Sequence, residues 1–282
     1  MGTVDKPNLV ASDVDGTLLD PLEQVTPRTA AVIAEVVASG TPFVLVTGRP
    51  PRWVRPVARI AGLTGFAVCA NGAAVYDLAE DRVVSAHDLD PMALHDVTHA
   101  LRALLPDIHV AAERTPWGPD SPAPFATEPG FRNPWGHPTG IDAATMDAEN
   151  NEVPTAEVLG HPATKLLVRH RELSSGELAE AAASVLNGAG LEVTFSTNKG
   201  LIELSAAGVT KATGLAEVCE RLDVAAGRVV AFGDMPNDLE MLRWSGHGVA
   251  MANAHADVLA AADEVTAPNS EDGVAQVLER WF

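Results

Sequence analysis

Asn8-Leu9-Val10-Ala11-Ser12-Asp13-Val14-Asp15-Gly16-Thr17 is an apolar run that stops abruptly at two acids and a glycine. A short apolar run bounded by turn residues reads as a buried strand delivering its last residues into a turn. A second stretch has the same form: Arg228-Val229-Val230-Ala231-Phe232 leads into Gly233-Asp234-Met235-Pro236-Asn237-Asp238. Ligands of parallel sheets collect at the carboxyl ends of the strands, so the two clusters are expected at one edge of one sheet. Asp13, Asp15, Asp234 and Asp238 repel one another there unless a cation sits among them. A hard, oxygen-seeking ion such as Mg²⁺ is the natural occupant.

Working outward, the pattern repeats. Thr26-Pro27 supplies a helix cap and first-turn proline, and Gly40 the stop. Ala30, Ile33, Ala34, Val37 and Ala38 form its expected apolar stripe. Strand Pro42–Val46 ends at Thr47-Gly48-Arg49-Pro50, an arginine-bearing helix follows, and strand Phe66–Ala70 ends at Asn71-Gly72. The alternation returns late in the chain. Helices are expected at Lys211–Leu222, Asp238–Arg243, Ala256–Ala261 and Gly273–Trp281, with strands at Val229–Phe232, Val249–Met251 and Glu264–Thr266. Such alternation implies parallel strands with right-handed crossovers.

Between these halves the texture changes. A helix is expected at Pro91–Leu104, a strand at Lys165–Arg169, a helix near Glu177–Leu186, and a hairpin from Leu191–Ser196 and Leu201–Ser205. Hairpins belong to antiparallel sheets, so the fold class is α/β with an inserted α+β module: 1–85 and 207–282 form the core and 86–206 the insert. Within the insert, Thr115–Gly140 is dense in Pro and Gly, carries Trp117, Phe125, Phe131 and Trp135, and shows little helix or strand signal. A loop that long is expected to line or gate the site entrance.

The bulk numbers exclude several classes. With 19 basic and 38 acidic residues among 282, the formal charge of −19 argues against binding nucleic acid or an anionic membrane. Cys69 and Cys219 lack metal-ligand spacing and are expected in the core, in a reducing compartment. No secretion segment opens the chain, and no stretch approaches the roughly 18 uninterrupted apolar residues of a membrane span. The expected location is cytoplasmic. His95 and His99, four apart on a helix, are expected to be an ordinary surface pair.

The clusters also carry chemistry. Asp13 is placed to attack an electrophile held by the same cation, giving an aspartyl-phosphate if that electrophile is a phosphoryl group. Asp15, two residues on, is placed to protonate the leaving oxygen and then take a proton from water, for which one carboxyl must be neutral beside ionised neighbours. Phosphoryl transfer needs donors on the equatorial oxygens. Thr47, the Gly48 N–H, Lys211 at its helix start and the neutral Asn237 can supply them. Asp234 completes the metal site with Asp238 in support. Arg49 binds substrate or pairs with a core carboxylate, the second being favoured; Asn71 and Asn253 read as loop-capping residues.

Asp-Val-Asp-Gly-Thr-Leu-Leu, Val-Thr-Gly-Arg-Pro, the Lys211 helix and Gly-Asp-Met-Pro-Asn-Asp-Leu-Glu-Met together resemble the four ordered motifs of the haloacid dehalogenase-like hydrolases, specifically the Cof-type phosphatases. Ala70-Asn71-Gly72-Ala73, Ala250-Met251-Ala252-Asn253-Ala254 and Glu271-Asp272-Gly273-Val274-Ala275 extend the resemblance over nearly the whole core. It implies a Rossmann-like core carrying an α/β cap between the second and third motifs. Asp13 is then the nucleophile and Asp15 the acid/base. Mg²⁺ lies on Asp13, the Asp15 main-chain carbonyl and Asp234, and phosphate lies against the Val14 backbone, Thr47, Gly48, Lys211 and Asn237. The implied partner is a small phosphorylated metabolite (sugar phosphate, nucleotide or cofactor phosphate) and the implied assembly a monomer or homodimer. The rival readings are sugar-phosphomutase chemistry and a non-catalytic Mg²⁺-phosphate-binding protein.

Overall fold

A computed structural model describes residues 5–115, 122–132, 151–186, 188, 190–195 and 198–282. Its strands in chain order are β1 (Leu9–Ser12), β2 (Phe43–Val46), β3 (Phe66–Cys69), β4 (Ala74–Asp77), β5 (Arg82–Ala86), β6 (His109–Glu113), β7 (Phe125–Thr127), β8 (Asn151–Glu152), β9 (Lys165–Arg169), β10 (Leu191–Thr194), β11 (Leu201–Ala206), β12 (Val229–Gly233), β13 (His247–Met251) and β14 (Glu264–Thr266). The chain divides into two compact units, Met1–Val84 with Thr210–Phe282, and Ser85–Val209.

The first unit holds an eight-stranded sheet in the order β14-β13-β12-β1-β2-β3-β4-β5. From β14 to β3 every neighbouring pair is parallel, and β4 runs antiparallel to β3. Successive side chains on a strand point to opposite faces, and here both faces are buried. Val10, Leu45, Phe232 and Val249 lie in one apolar cluster with Val32, Ile33 and Val36 of the helix Pro27–Ala38. Ala11, Val44, Ala231 and Ala250 lie in another with Leu215 and Val218 of the helix Lys211–Leu222. Helices on both faces of a mostly parallel sheet are the doubly wound, Rossmann-like arrangement expected, and they account for strands without polar alternation.

The first helix buries a different stripe from the expected one. Thr29, Val32, Ile33 and Val36 face inward, while Ala34 and Ala38 are exposed and Val37 is 42% exposed. Apolar residues surround this helix, so two phases fit a 3.6-residue period. The i, i+3, i+4, i+7 set, with four branched side chains, fills more core volume than the alanine-rich one.

The second unit is a six-stranded sheet in the order β10-β11-β9-β6-β7-β8, antiparallel except between β7 and β8. One face packs against the helices Pro91–Leu104, Thr155–Leu159 and Ser175–Leu186 through Val110, Ala112, Leu166, Val168, Ile202 and Leu204. The α+β character is as expected. Strands β4 to β8 were not. In particular, Thr115–Gly140 does carry a strand, β7, whose Phe125 is buried with Phe131 in edge-to-face contact at 6.3 Å between ring centroids. Trp117 and Trp135 lie outside the described residues, as do 116–121 and 133–150.

Both cysteines are buried, and burial pushes the Cys219 thiol up to about 11. His95 and His99 are exposed. Among the described residues no helix is long and apolar enough to cross a membrane.

Candidate active site

Strand β1 lies between β2 and β12, and this is where the strand order reverses. Chain segments leave the sheet in opposite directions at such a point and open a crevice beyond the carboxyl ends. In register, Ser12 pairs with Phe232, and the Asp13 N–H donates to the Phe232 carbonyl at 3.0 Å. The next residues on the two strands are the acidic clusters. Two segments over two hundred residues apart in sequence thus become adjacent because their strands are neighbours.

Lys211 is the hub. It opens its helix behind Thr210, whose hydroxyl accepts from the Thr213 N–H while the Thr213 hydroxyl accepts from the Thr210 N–H, a reciprocal capping box. Its Nζ donates to Asp13 Oδ1 at 2.6 Å and to Asp238 Oδ1 at 2.6 Å, with the lysine side chain 1% exposed. Asp238 Oδ2 accepts from the backbone N–H groups of Asp234 and Met235, both at 3.0 Å. Asp238 therefore fixes the turn and anchors the lysine, a fuller engagement than the supporting role expected. Asp234 accepts from the Thr17 hydroxyl at 2.9 Å.

Close approach here depends on a missing side chain. Gly16 has φ +79°, and a Cβ on it would stand 2.3 Å from Asp234 Oδ2. Asn253 Nδ2 closes the same turn by donating to the Gly16 carbonyl at 2.9 Å, the capping role expected of it.

Asp13, Asp234 and Asp238, all buried, each bring one carboxylate oxygen within 4.8 Å of the others. Burial drives the Asp13 pKa well above the carboxylate range; Lys211 opposes this, and Asp238, Asp234 and Asp15 reinforce it. Burial likewise raises Asp234 to about 6, with Asp238 adding to the rise. Burial lowers the Lys211 pKa but Asp13 and Asp238 outweigh it, so the ammonium is held charged. One lysine does not balance three buried carboxylates, and a hard cation with an all-oxygen donor set fits this group. The carboxyls pushed toward the protonated form are Asp13 and Asp234.

Asp15 stands apart from that cluster. Its side chain is 53% exposed and held by Arg49, with Nε donating to Oδ2 at 2.9 Å and Nη2 to Oδ1 at 2.5 Å. Arg49 is thus the partner of a carboxylate at the core edge. Thr47 is fully buried, and its Oγ1 accepts from the Arg49 N–H at 3.1 Å. A hydroxyl that accepts there keeps its own proton to donate. Gly48 lies against Asn71, whose Oδ1 would be 3.1 Å from a Cβ at that position.

Asn71 itself has φ 57° and accepts from Asn237 Nδ2 at 3.1 Å. That link joins the β3 and β12 loops. Nothing in either loop's pattern signalled it. Asn237 Oδ1 is buried without a hydrogen-bond partner among the described residues. Val14 is fully buried, and its carbonyl accepts from the Leu19 N–H at 2.9 Å.

Comparison with known proteins shows what the chain as a whole is similar to. A family model described as haloacid dehalogenase-like hydrolase matches residues 10–278. The 5-amino-6-(5-phospho-D-ribitylamino)uracil phosphatase YitU of Bacillus subtilis is 32% identical over 98% of this chain and 98% of its own length. The pyridoxal phosphate phosphatase YbhA of Escherichia coli is 28% identical over 96% of this chain and 97% of its own. The crystal structure of a haloacid dehalogenase-like hydrolase from Bacteroides thetaiotaomicron matches with a TM-score of 0.73 at 25% identity, covering 97% of this chain and 99% of that one.

Proposed function

The chain belongs to the haloacid dehalogenase-like hydrolases, and within that family we propose that it is a Mg²⁺-dependent phosphatase of small phosphorylated metabolites working through an aspartyl-phosphate. The observation that carries this reading is Lys211 bridging Asp13 and Asp238 at the ends of β1 and β12, with Asp234 in the same cluster. Asp13, Asp234 and the Asp15 main-chain carbonyl would hold the Mg²⁺, with Asp238 behind them. When bound, the ion supplies Lewis-acid stabilisation of the charge on the phosphoryl oxygens.

In the first half-reaction an Asp13 carboxylate oxygen bonds to phosphorus and the ester P–O bond breaks. Asp15 gives the departing oxygen its proton. In the second, a water oxygen attacks the same phosphorus, Asp15 takes the water's proton, and Asp13 is released as inorganic phosphate forms. Lys211 keeps Asp13 ionised and joins Thr47, the Gly48 N–H, the Val14 backbone and Asn237 as donors around the phosphoryl group. Asp13 must be anionic to attack, whereas burial favours its neutral form. The lysine and the cation together reverse that preference.

The compounds named for the two relatives, a ribityl phosphate and pyridoxal phosphate, are both phosphate esters of primary alcohols. For this chain the proposed substrate class is the same: a phosphomonoester whose alkoxide leaving group needs a proton.

The test is phosphate release from p-nitrophenyl phosphate and from a panel of sugar, nucleotide and cofactor phosphates with Mg²⁺, for the wild type and Asp13→Asn. The substitution keeps shape and removes the nucleophile, so turnover should fall by at least about 10³-fold with the fold intact. Near wild-type turnover would overturn the mechanism. Isomerised hexose phosphate without free phosphate would identify a mutase instead.

A further inference from the structure

We propose that Asn71 is a positioning residue for the phosphoryl donors: it holds the Asn237 amide from a turn that also registers the Thr47 loop and the Lys211 helix. The inference rests on the phosphatase reading above, because the donor roles of Thr47, Asn237 and Lys211 come from it. Asn71 itself touches no reacting atom.

The turn is strained. Ala70, Asn71 and Gly72 follow β3 with φ of 53°, 57° and 100°. Asparagine and glycine enter the left-handed region readily, whereas alanine does so rarely. Strained backbone persists where its surroundings over-determine it, and it gathers at functional sites.

Each residue of the turn holds a different segment. The Ala70 N–H donates to the Arg49 carbonyl at 2.9 Å and the Asn71 N–H to the Thr47 carbonyl at 3.0 Å, so the loop after β2 is tied at both ends. The Asn71 side chain, 3% exposed, accepts from Asn237 Nδ2 at 3.1 Å in the loop after β12. Gly72 meets the start of the Lys211 helix, where a Cβ on it would stand 2.0 Å from the Thr210 carbonyl oxygen. Three consecutive residues thus gather the segments that carry three donors.

Of these contacts, the Asn71 side chain acts on a donor group directly. The last torsion of an asparagine is broad, so an amide held by nothing keeps no single orientation. Asn237 Oδ1 has no hydrogen-bond partner among the described residues, and Asn71 Oδ1 takes one hydrogen of its Nδ2. A primary amide carries two such hydrogens. The link therefore fixes the plane of the Asn237 amide and leaves its second N–H for a phosphoryl oxygen.

The test is Asn71→Gly, which removes the side chain and suits the backbone, since glycine takes positive φ freely. With p-nitrophenyl phosphate and Mg²⁺, well below the melting temperature, kcat/KM should fall at least about fivefold, a share of the roughly 10²–10³ that one preorganised donor supplies. The Ki of orthovanadate, a five-coordinate mimic of phosphoryl transfer, should rise by a similar factor. In an Asn237→Ala background the same substitution should cost less than about twofold further, because residues that act through one another are not additive.

A smaller loss in the wild-type background, unchanged vanadate inhibition, or a larger further loss on top of Asn237→Ala overturns the inference and leaves Asn71 a structural residue of the turn. An Asn237→Ala enzyme with wild-type kinetics overturns it too. If Asn71→Gly melts more than a few degrees below the wild type, Asn71→Ser, too short to reach Asn237, is judged by the same criteria. Failure of the wild type to release phosphate from p-nitrophenyl phosphate or any of the panel overturns the phosphatase reading itself, an outcome distinct from a small effect at Asn71.

Discussion

Lys211 and Lys165 are both buried among carboxylates, one in each unit of the molecule, and only their settings differ. Lys211 sits past the carboxyl ends of parallel strands, bridging two acids that arrive on separate loops. Lys165 is the first residue of β9 and pairs with Glu203 of β11. Strand alternation puts Lys165 and Glu203 opposite Leu166, Ile202 and Leu204, which pack against the helices. In the first setting, charge is concentrated beyond what one lysine can neutralise, and two carboxyls are driven toward protonation. In the second, the ammonium pairs with Glu203 from within a sheet. Burial of an ion pair alone therefore does not mark a reactive centre; an uncompensated surplus of one charge at converging strand ends does.

The comparison breaks most sharply at Lys211. Lys211→Met should reduce phosphate release by at least about 10²–10³-fold, since it removes both a donor and the group that keeps Asp13 ionised. Steady-state assay at saturating Mg²⁺ reads the effect, and retention of a tenth of the activity would show that the two lysines are equivalent after all. Next in size, Glu203→Gln should cost about 3 kcal/mol of stability by removing the carboxylate charge from its buried pair with Lys165, while p-nitrophenyl phosphate turnover below the melting temperature stays within about threefold. Urea denaturation and initial rates give both numbers; a rate loss as large as that of Lys211→Met would place Lys165 and Glu203 in the chemistry.

The smallest effect sharpens the contrast through pH. The folded-state pKa of Asp234 is about 6, against an unfolded value of about 3.9. The folded state therefore binds more protons than the unfolded state across that interval, and metal-free stability falls as pH rises from about 4 to 6. Asp13 shifts in the same direction and adds to the effect. Mg²⁺ binds the ionised carboxylates, so its increment in Tm should be largest above pH 6 and shrink toward pH 4. Calorimetry with Mg²⁺ and with chelator measures it, and a pH-independent increment would mean that the ion is not held by these acids.

Legibility in the sequence followed the physics of each region. The motif residues were readable because a buried parallel strand is a continuous apolar run whose end is marked by Asp, Gly or Thr. The topology then needed only the rule that ligands gather at carboxyl ends. The second unit was harder: β6, β7 and β8 are short strands that gain definition only from their partners in register. The phase of the first helix was hidden because apolar residues surround it. At the site, pairing of Arg49 with a carboxylate was the favoured of two readings, and the structure gives Asp15 as its partner. The Asn237–Asn71 link, and the use of both Asp238 oxygens on the lysine and the turn, were set by side-chain geometry that no spacing encodes.

The placement of β1 between β2 and β12 has a consequence for how the molecule is made. Synthesis runs from the N-terminus, so β1 and β2 leave the ribosome long before β12, whose first residue is Val229. One flank of the central strand has no partner until most of the chain exists. Pairings this distant in sequence form slowly, because loop closure precedes their reward. The insert has its own sheet and apolar core, and it can organise while the first sheet waits. Asp13 meets Lys211 and Asp234 only once the late part of the chain exists, so a truncated product that stops before Lys211 carries the nucleophile, Asp15 and Thr47 but neither the lysine nor the acids that follow β12.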